Sequence, residues 1–170
     1  MQAPVHILAG VIINRIFKWR EYKAVGLVLT FICCIVVHAI FDKLSVAVYS
    51  PGNFDLNDPV WLMYHIAMWL SSIVLLYIFW RDYKWGIIFS LLPDFEWLII
   101  GVQHLFHFVI PFYSMPYIHF AMNDALSFIP THILPDNRLN PLAIVWELLL
   151  IALLALIFRA MVNYRKNIHF

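Results

Sequence analysis

Long apolar stretches separated by short polar segments dominate this chain. Residues 24–41 and 59–80 contain no Asp, Glu, Lys or Arg. A helix that crosses the hydrocarbon of a bilayer needs roughly 20 predominantly apolar residues, so both stretches predict membrane-spanning helices. Residues 142–158 predict another, in which Glu147 is the one charged residue.

Two further apolar segments complete the predicted bundle. Residues 3–17 form a short one, in which Ala9 and Gly10 suit close helix packing. Residues 85–113 are interrupted by Pro93, which predicts one kinked helix or two half-helices that meet at the proline. Residues 114–141 mix prolines with polar and apolar residues and predict a segment along the outer surface. The pattern indicates an all-α integral membrane protein, with about five transmembrane helices in a single bundle domain over 1–170.

Composition and charge support this interpretation and add an orientation. The chain is 64% hydrophobic and 12% charged, with mean hydropathy +0.82, whereas a soluble domain carries about 25% charged residues. A net charge of +1 gives no indication of nucleic-acid binding. The positive-inside rule predicts an outer N-terminus and a cytoplasmic C-terminus. We expect a multi-pass protein of a bacterial inner or plasma membrane. Nine of the eleven Lys and Arg residues fall on the cytoplasmic side: Arg15, Lys18, Arg20, Lys23, Arg81, Lys84, Arg159, Arg165 and Lys166.

Ionisable side chains of all five predicted helices fall in the outer half of the membrane. Because such residues are costly within a bilayer, each is a functional candidate. His38 and Asp42 are also spaced i, i+4 and share one helix face. At about 1.5 Å rise per residue from the cytoplasmic ends, the heights are roughly 14 Å for Asp94, 17 Å for His6, Glu96 and Glu147, 21 Å for His38, 22 Å for His65 and 27 Å for Asp42.

Imidazole and carboxylate side chains at one depth predict a site for a divalent metal ion, zinc above all. Water bound to such an ion becomes a nucleophile near neutral pH. We expect Glu96 to be the general base, because such a base often stands beside the metal without binding it. The candidate ligands, not all needed at once, are His6, His38, Asp42, His65 and Asp94.

Other interpretations stay open at this point. A helix histidine can simply bond a neighbouring helix, and Glu147 can pair with one. His104 and His107 are expected at the outer end of the fourth helix, and His119 and His132 in the outer segment. His38 and His65 could instead clamp a haem or pigment. The polar residues could also join helices in an accessory subunit with protein partners in the membrane, or line a proton or cation pathway.

Two short segments resemble a known family. Pro4-Val5-His6-Ile7-Leu8-Ala9-Gly10 and Leu91-Leu92-Pro93-Asp94-Phe95-Glu96 are similar to motifs of the small membrane-bound metal-dependent hydrolases. Glu96 stands where that family has a second aspartate, and the family's downstream His-Arg-x-x-Thr-His element is not recognisable. His38, Asp42 or His65 would then have to complete the site. The resemblance implies a hydrolase of a phosphorylated or acylated lipid, or of a lipid-linked substrate, without naming the bond.

Overall fold

The computed structural model describes residues 2–18, 22–50, 57–106, 110 and 117–168. Within these residues the chain is helical and contains no strand, which confirms the predicted all-α class. Short 3-10 turns occupy Ser45–Ala47, Thr131–Ile133 and Pro141–Ala143. The helices are α1 (Ala3–Phe17), α2 (Lys23–Leu44), α3 (Pro59–Leu91), α4 (Asp94–Phe106), α5 (Tyr117–Ala125) and α6 (Ile144–Ile168).

Three segments of the described chain are helical, long and apolar enough to cross a membrane: Lys23–Ala47, Pro59–Leu91 and Pro141–Tyr164. They present large apolar side chains outward, as helices facing lipid do. Met63, Trp69 and Ile73 of α3 are each more than 60% exposed. Helix α1 is apolar as well but has only 15 residues, fewer than the roughly 20 that a span requires.

Helix α3 is interrupted at Tyr83, whose backbone (φ −130°, ψ 21°) is not helical. The apolar pattern predicts one helix over 59–80 and a second over 85–113 with its kink at Pro93. In the structure, 59–82 and 84–91 are two arms of α3, and α4 begins after Pro93. Leu92 keeps helical backbone angles (φ −54°, ψ −44°), but Pro93 has no N–H to donate to the preceding turn, so the interruption at Leu92 and Pro93 has a local cause.

The two arms of α3 fold back on each other along α1. At one end, the guanidinium of Arg15 in α1 donates to the Tyr83 hydroxyl (2.8 Å). At the other end, the Tyr64 hydroxyl and the backbone N–H of Gln2 both donate to the carboxylate of Glu147. The C-terminal end of α3 also lies near the first turn of α1. The carbonyl oxygen of Ser90 contacts His38, and the ring of His38 stacks on that of His6. Both ends of α3 therefore lie at the N-terminal end of α1, and the interruption at Tyr83 lies at the opposite end.

Helix α1 runs through the middle of the bundle, with Pro4 to Val11 all buried. It crosses the second arm of α3 at Gly10 and Gly86. A Cβ on Gly86 would lie 2.1 Å from the Gly10 carbonyl oxygen, and a Cβ on Gly10 would lie 2.3 Å from that of Gly86. This contact between backbones requires glycine on both helices, and it brings His6, one turn above Gly10, close to α2 and α3.

Candidate metal centre

Three helices bring the first group of site residues together. His6 lies in the first turns of α1, and its ring stacks on that of His38 in α2 with 3.9 Å between centroids. Asp42 lies one turn beyond His38 on the same face of α2. One carboxylate oxygen of Asp42 is 3.5 Å from His6 Nε2, and the other is 3.1 Å from His38 Nε2.

Two further residues close the cluster from α4 and α5. Asp94 is the first residue of α4, and its Oδ1 lies 3.5 Å from His38 Nε2 and 3.8 Å from His119 Nε2. His119, in the first turn of α5, also lies 3.5 Å from Asp42 Oδ2. We call His6, His38, Asp42, Asp94 and His119 the five-residue cluster.

The tautomers of two imidazoles follow from their partners on the far side of the ring. His38 Nδ1 is 2.7 Å from the carbonyl oxygen of Ser90, and His119 Nδ1 is 3.2 Å from the carboxylate of Glu96. Both partners only accept hydrogen bonds, so each Nδ1 carries the proton. Each Nε2 therefore faces Asp42 and Asp94, and a neutral ring offers its lone pair there, which is the orientation that a metal ligand needs.

Glu96 holds the beginning of α5 in place. One of its oxygens accepts from the backbone N–H of Ile118 (2.8 Å), and the other accepts from the backbone N–H of His119 (3.0 Å) and from its ring. The carboxylate is almost fully buried. Burial disfavours a charge on His119, yet its contacts with Asp42 and Glu96 hold the pKa of the imidazole above its usual value. The carboxylates thus favour a cation at this ring.

Buried nitrogen atoms without partners show where a cation would lie. His6 and His38 are each 1% exposed, and neither Nε2 atom makes a hydrogen bond of good geometry with any described residue. Leaving a buried polar atom unpaired costs roughly 1–3 kcal/mol, so two such atoms beside one carboxylate are unusual. A metal ion between them would satisfy both nitrogens.

The spacing of the donor atoms fits a small divalent ion. Zinc binds imidazole nitrogen at about 2.0–2.1 Å, so two ligands of a tetrahedral ion lie roughly 3.3 Å apart. The nitrogen–oxygen distances in the five-residue cluster are 3.1–3.8 Å. Two overlapping triads, His6–His38–Asp42 and His38–Asp94–His119, each have all their donor atoms within 4.8 Å of one another. These residues could hold one metal ion.

The structure brings four of the five predicted ligands together and leaves out His65. His65 turns toward its own helix, where its ring stacks on Trp61 (3.9 Å between centroids) and its Nδ1 bonds the Trp61 carbonyl oxygen (2.8 Å). His38 and His65, the pair predicted as an alternative to clamp a haem or pigment, do not face each other, because His38 stacks on His6 and His65 on Trp61. The side chain of His104 and all of His107 lie outside the described residues.

His119 is the site residue that the sequence pattern does not identify. It belongs to the predicted outer segment, whose depth cannot be calculated from helix rise, and it has no motif of its own. His132 of the same segment is not distinguished from His119 by the sequence, but in the structure it is exposed. What distinguishes His119 is the contact of α5 with Glu96 and α2, and these residues are distant in sequence.

The chain was compared with protein-family models, with curated proteins and with solved structures, and none of them matches it.

Proposed function

We propose that this chain is a membrane-embedded metal-dependent hydrolase that acts on a lipid or lipid-linked substrate. The observation that carries the proposal is the convergence of three imidazole Nε2 atoms on the carboxylates of Asp42 and Asp94. Buried imidazoles with unpaired nitrogens are costly unless a ligand occupies the space between them.

Exposure and distance divide the roles within the cluster. Asp42 lies within 3.5 Å of all three imidazoles, and its side chain is 23% exposed. Asp94 is 38% exposed and lies farther from the nitrogens, at 3.5 and 3.8 Å. We assign His6, His38, His119 and Asp42 as metal ligands. Asp94, at the mouth of the site, accepts the proton of the attacking water.

The chemistry of the donors supports hydrolysis. A zinc ion lowers the pKa of its bound water to about 7 and polarises a carbonyl or phosphoryl oxygen. Glu96 then serves to position His119, since both of its oxygens are engaged by α5. The two segments that resemble the hydrolase family supply His6, Asp94 and Glu96, all within this site. His119 offers a histidine downstream of them, although without the family's motif.

The contacts between helices support five passes through the membrane. The first arm of α3 begins beside Glu147 and reaches Tyr83 at the far end of α1, and the second arm returns to the site and continues into α4. Helices α2 and α6 supply two more passes, and α1, with 15 residues, supplies a short one that begins inside the bundle. With the cationic end cytoplasmic, the metal site opens toward the outer side of a plasma or bacterial inner membrane.

The surroundings of the site favour a substrate that is itself in the membrane. Phe95, Trp97 and Leu98 of α4 are 49–58% exposed next to Asp94 and Glu96. The ring of Trp97 also contacts that of His119 (5.5 Å between centroids). An acyl or polyprenyl chain would find apolar contacts beside the carboxylates.

Metal content is the direct test of this proposal. The detergent-purified chain should carry about one zinc ion per molecule by elemental analysis, and His38→Ala or Asp42→Asn should abolish it, because each removes a ligand. His65→Ala is the matched control, a helix histidine at a similar depth that should keep the metal. Asp94→Asn should also keep zinc but lose turnover by about 10²–10⁴-fold.

Two outcomes would contradict the proposal. A wild-type chain that binds no divalent metal under any loading condition would exclude a metal-dependent enzyme. Loss of a co-purifying membrane protein in the cluster variants, with no metal in either form, would favour the accessory-subunit alternative.

A further inference from the structure

The outer end of the molecule carries few cationic side chains. No Lys or Arg occurs between Lys84 and Arg138, a stretch that includes α4 and α5. In the five-pass orientation only Lys43 and Arg138 are on the outer side. The guanidinium of Arg138 is paired with the carboxylate of Asp136. Its Nε donates to Oδ1 at 2.9 Å, and its Nη2 donates to Oδ2 at 2.6 Å.

Lys43 is poorly placed to assist the cluster. It follows Asp42 directly in α2, and successive side chains leave an α-helix about 100° apart. When Asp42 points at the imidazoles, Lys43 therefore points to another side of the helix. The cluster has no Lys or Arg side chain among its described contacts.

The charges of the cluster nearly cancel once a divalent ion is present. Asp42 and Asp94 contribute two negative charges, and the third carboxylate, Glu96, is stabilised by the N–H groups that begin α5. A single zinc ion balances the first two and leaves no surplus of positive charge. Enzymes that transfer phosphoryl groups use Arg, Lys or several metal ions to neutralise phosphate oxygens.

We propose that the site cleaves an uncharged carboxylic ester, the bond between an acyl chain and its alcohol in a lipid, and leaves phosphate esters intact. The inference rests on the proposed function and specifies its substrate class. A neutral ester carbonyl needs polarisation and a nucleophile, but no cationic clamp in its ground state. The exposed side chains of Phe95, Trp97, Ile118 and Phe120 supply apolar contacts for the acyl chain.

The reaction consumes one water and yields a carboxylic acid and an alcohol. The water oxygen bonds to the carbonyl carbon while Asp94 takes up one of its protons. The C–O bond to the alcohol then breaks, and the proton held by Asp94 passes to the departing oxygen. A bound metal would polarise the carbonyl oxygen. No oxidant, reductant or further co-reactant is required.

Pairs of lipids that differ only at the acyl linkage test this inference. The zinc-loaded full chain would be incubated with micelles of diacyl phosphatidylcholine, phosphatidylglycerol and phosphatidic acid, and with the dialkyl ether analogue of each. The ether analogues keep the phosphate esters but have no acyl ester. We expect fatty acid from at least one diacyl lipid and no cleavage of any ether analogue. Asp94→Asn should lower the release by about 10²-fold or more, and Asp124→Asn, an exposed aspartate of α5, should not.

The results separate the substrate class from the proposed function. If phosphate, or a phosphorylated headgroup, is released from an ether analogue in a zinc-dependent way, the ester assignment is overturned while the hydrolase stands. If a zinc-loaded chain cleaves none of the lipids, the ester assignment is overturned as well. A chain without zinc would instead contradict the proposed function itself.

Discussion

At the scale of single residues, Glu96 and Asp94 illustrate how neighbouring carboxylates differ in role. The sequence predicts Glu96 as the general base, because such a base often stands beside the metal without binding it. In the structure both oxygens of Glu96 accept hydrogen bonds from α5, whereas Asp94 is partly exposed. A carboxylate that orients a metal-binding histidine acts on the metal through that histidine.

Glu96→Gln should therefore weaken zinc binding. The amide keeps one acceptor oxygen, and its NH₂ group would face the N–H donors of Ile118 or His119. Loss of such an outer partner typically reduces metal affinity by 10–100-fold. Competition with a chromophoric chelator would measure the change, with Asp124→Asn as the control on α5. Unchanged zinc affinity would show that Glu96 does not position His119.

At the scale of secondary-structure elements, α1 begins inside the bundle and needs an acceptor there. Its 15 residues are fewer than the roughly 20 of a regular span, and no side chain of its own caps its N-terminus. Glu147 of α6 accepts the backbone N–H of Gln2 and the Tyr64 hydroxyl, and it is fully buried. This contact holds the start of α1, and with it His6, at the height of the five-residue cluster.

Removing this acceptor should destabilise the bundle in graded steps. Glu147→Leu leaves the buried Tyr64 hydroxyl and the part-buried Gln2 N–H unpaired, and an unpaired buried donor costs roughly 1–3 kcal/mol. Tyr64→Phe removes one of the two hydrogen bonds, so we expect a smaller loss. Thermal unfolding in detergent would rank the variants below the wild type in the order Tyr64→Phe, then Glu147→Leu. Equal unfolding temperatures for all three chains would contradict an anchoring role for Glu147.

At the scale of the whole molecule, the position of the site depends on the orientation in the membrane. The proposed five passes place Asn57, before α3, on the outer side and Lys84, at the Tyr83 interruption, in the cytoplasm. In a background without Cys33 and Cys34, Asn57→Cys should react with an impermeant thiol reagent added to intact cells. Lys84→Cys should react only after the membrane is permeabilised. The reverse pattern would place the metal site toward the cytoplasm.

The sequence alone determined the helical class and the apolar segments, and it predicted the heights of the ionisable residues along their helices. These are local properties, since helix formation follows from nearby residues and the rise per residue is constant. Only the tertiary structure decided which faces meet. His38 and His65 have nearly the same predicted depth, yet His38 faces His6 whereas His65 stacks on Trp61 of its own helix. The Gly10–Gly86 crossing and the docking of α5 on Glu96 bring residues distant in sequence together, so His119 could join the site although no local pattern marks it.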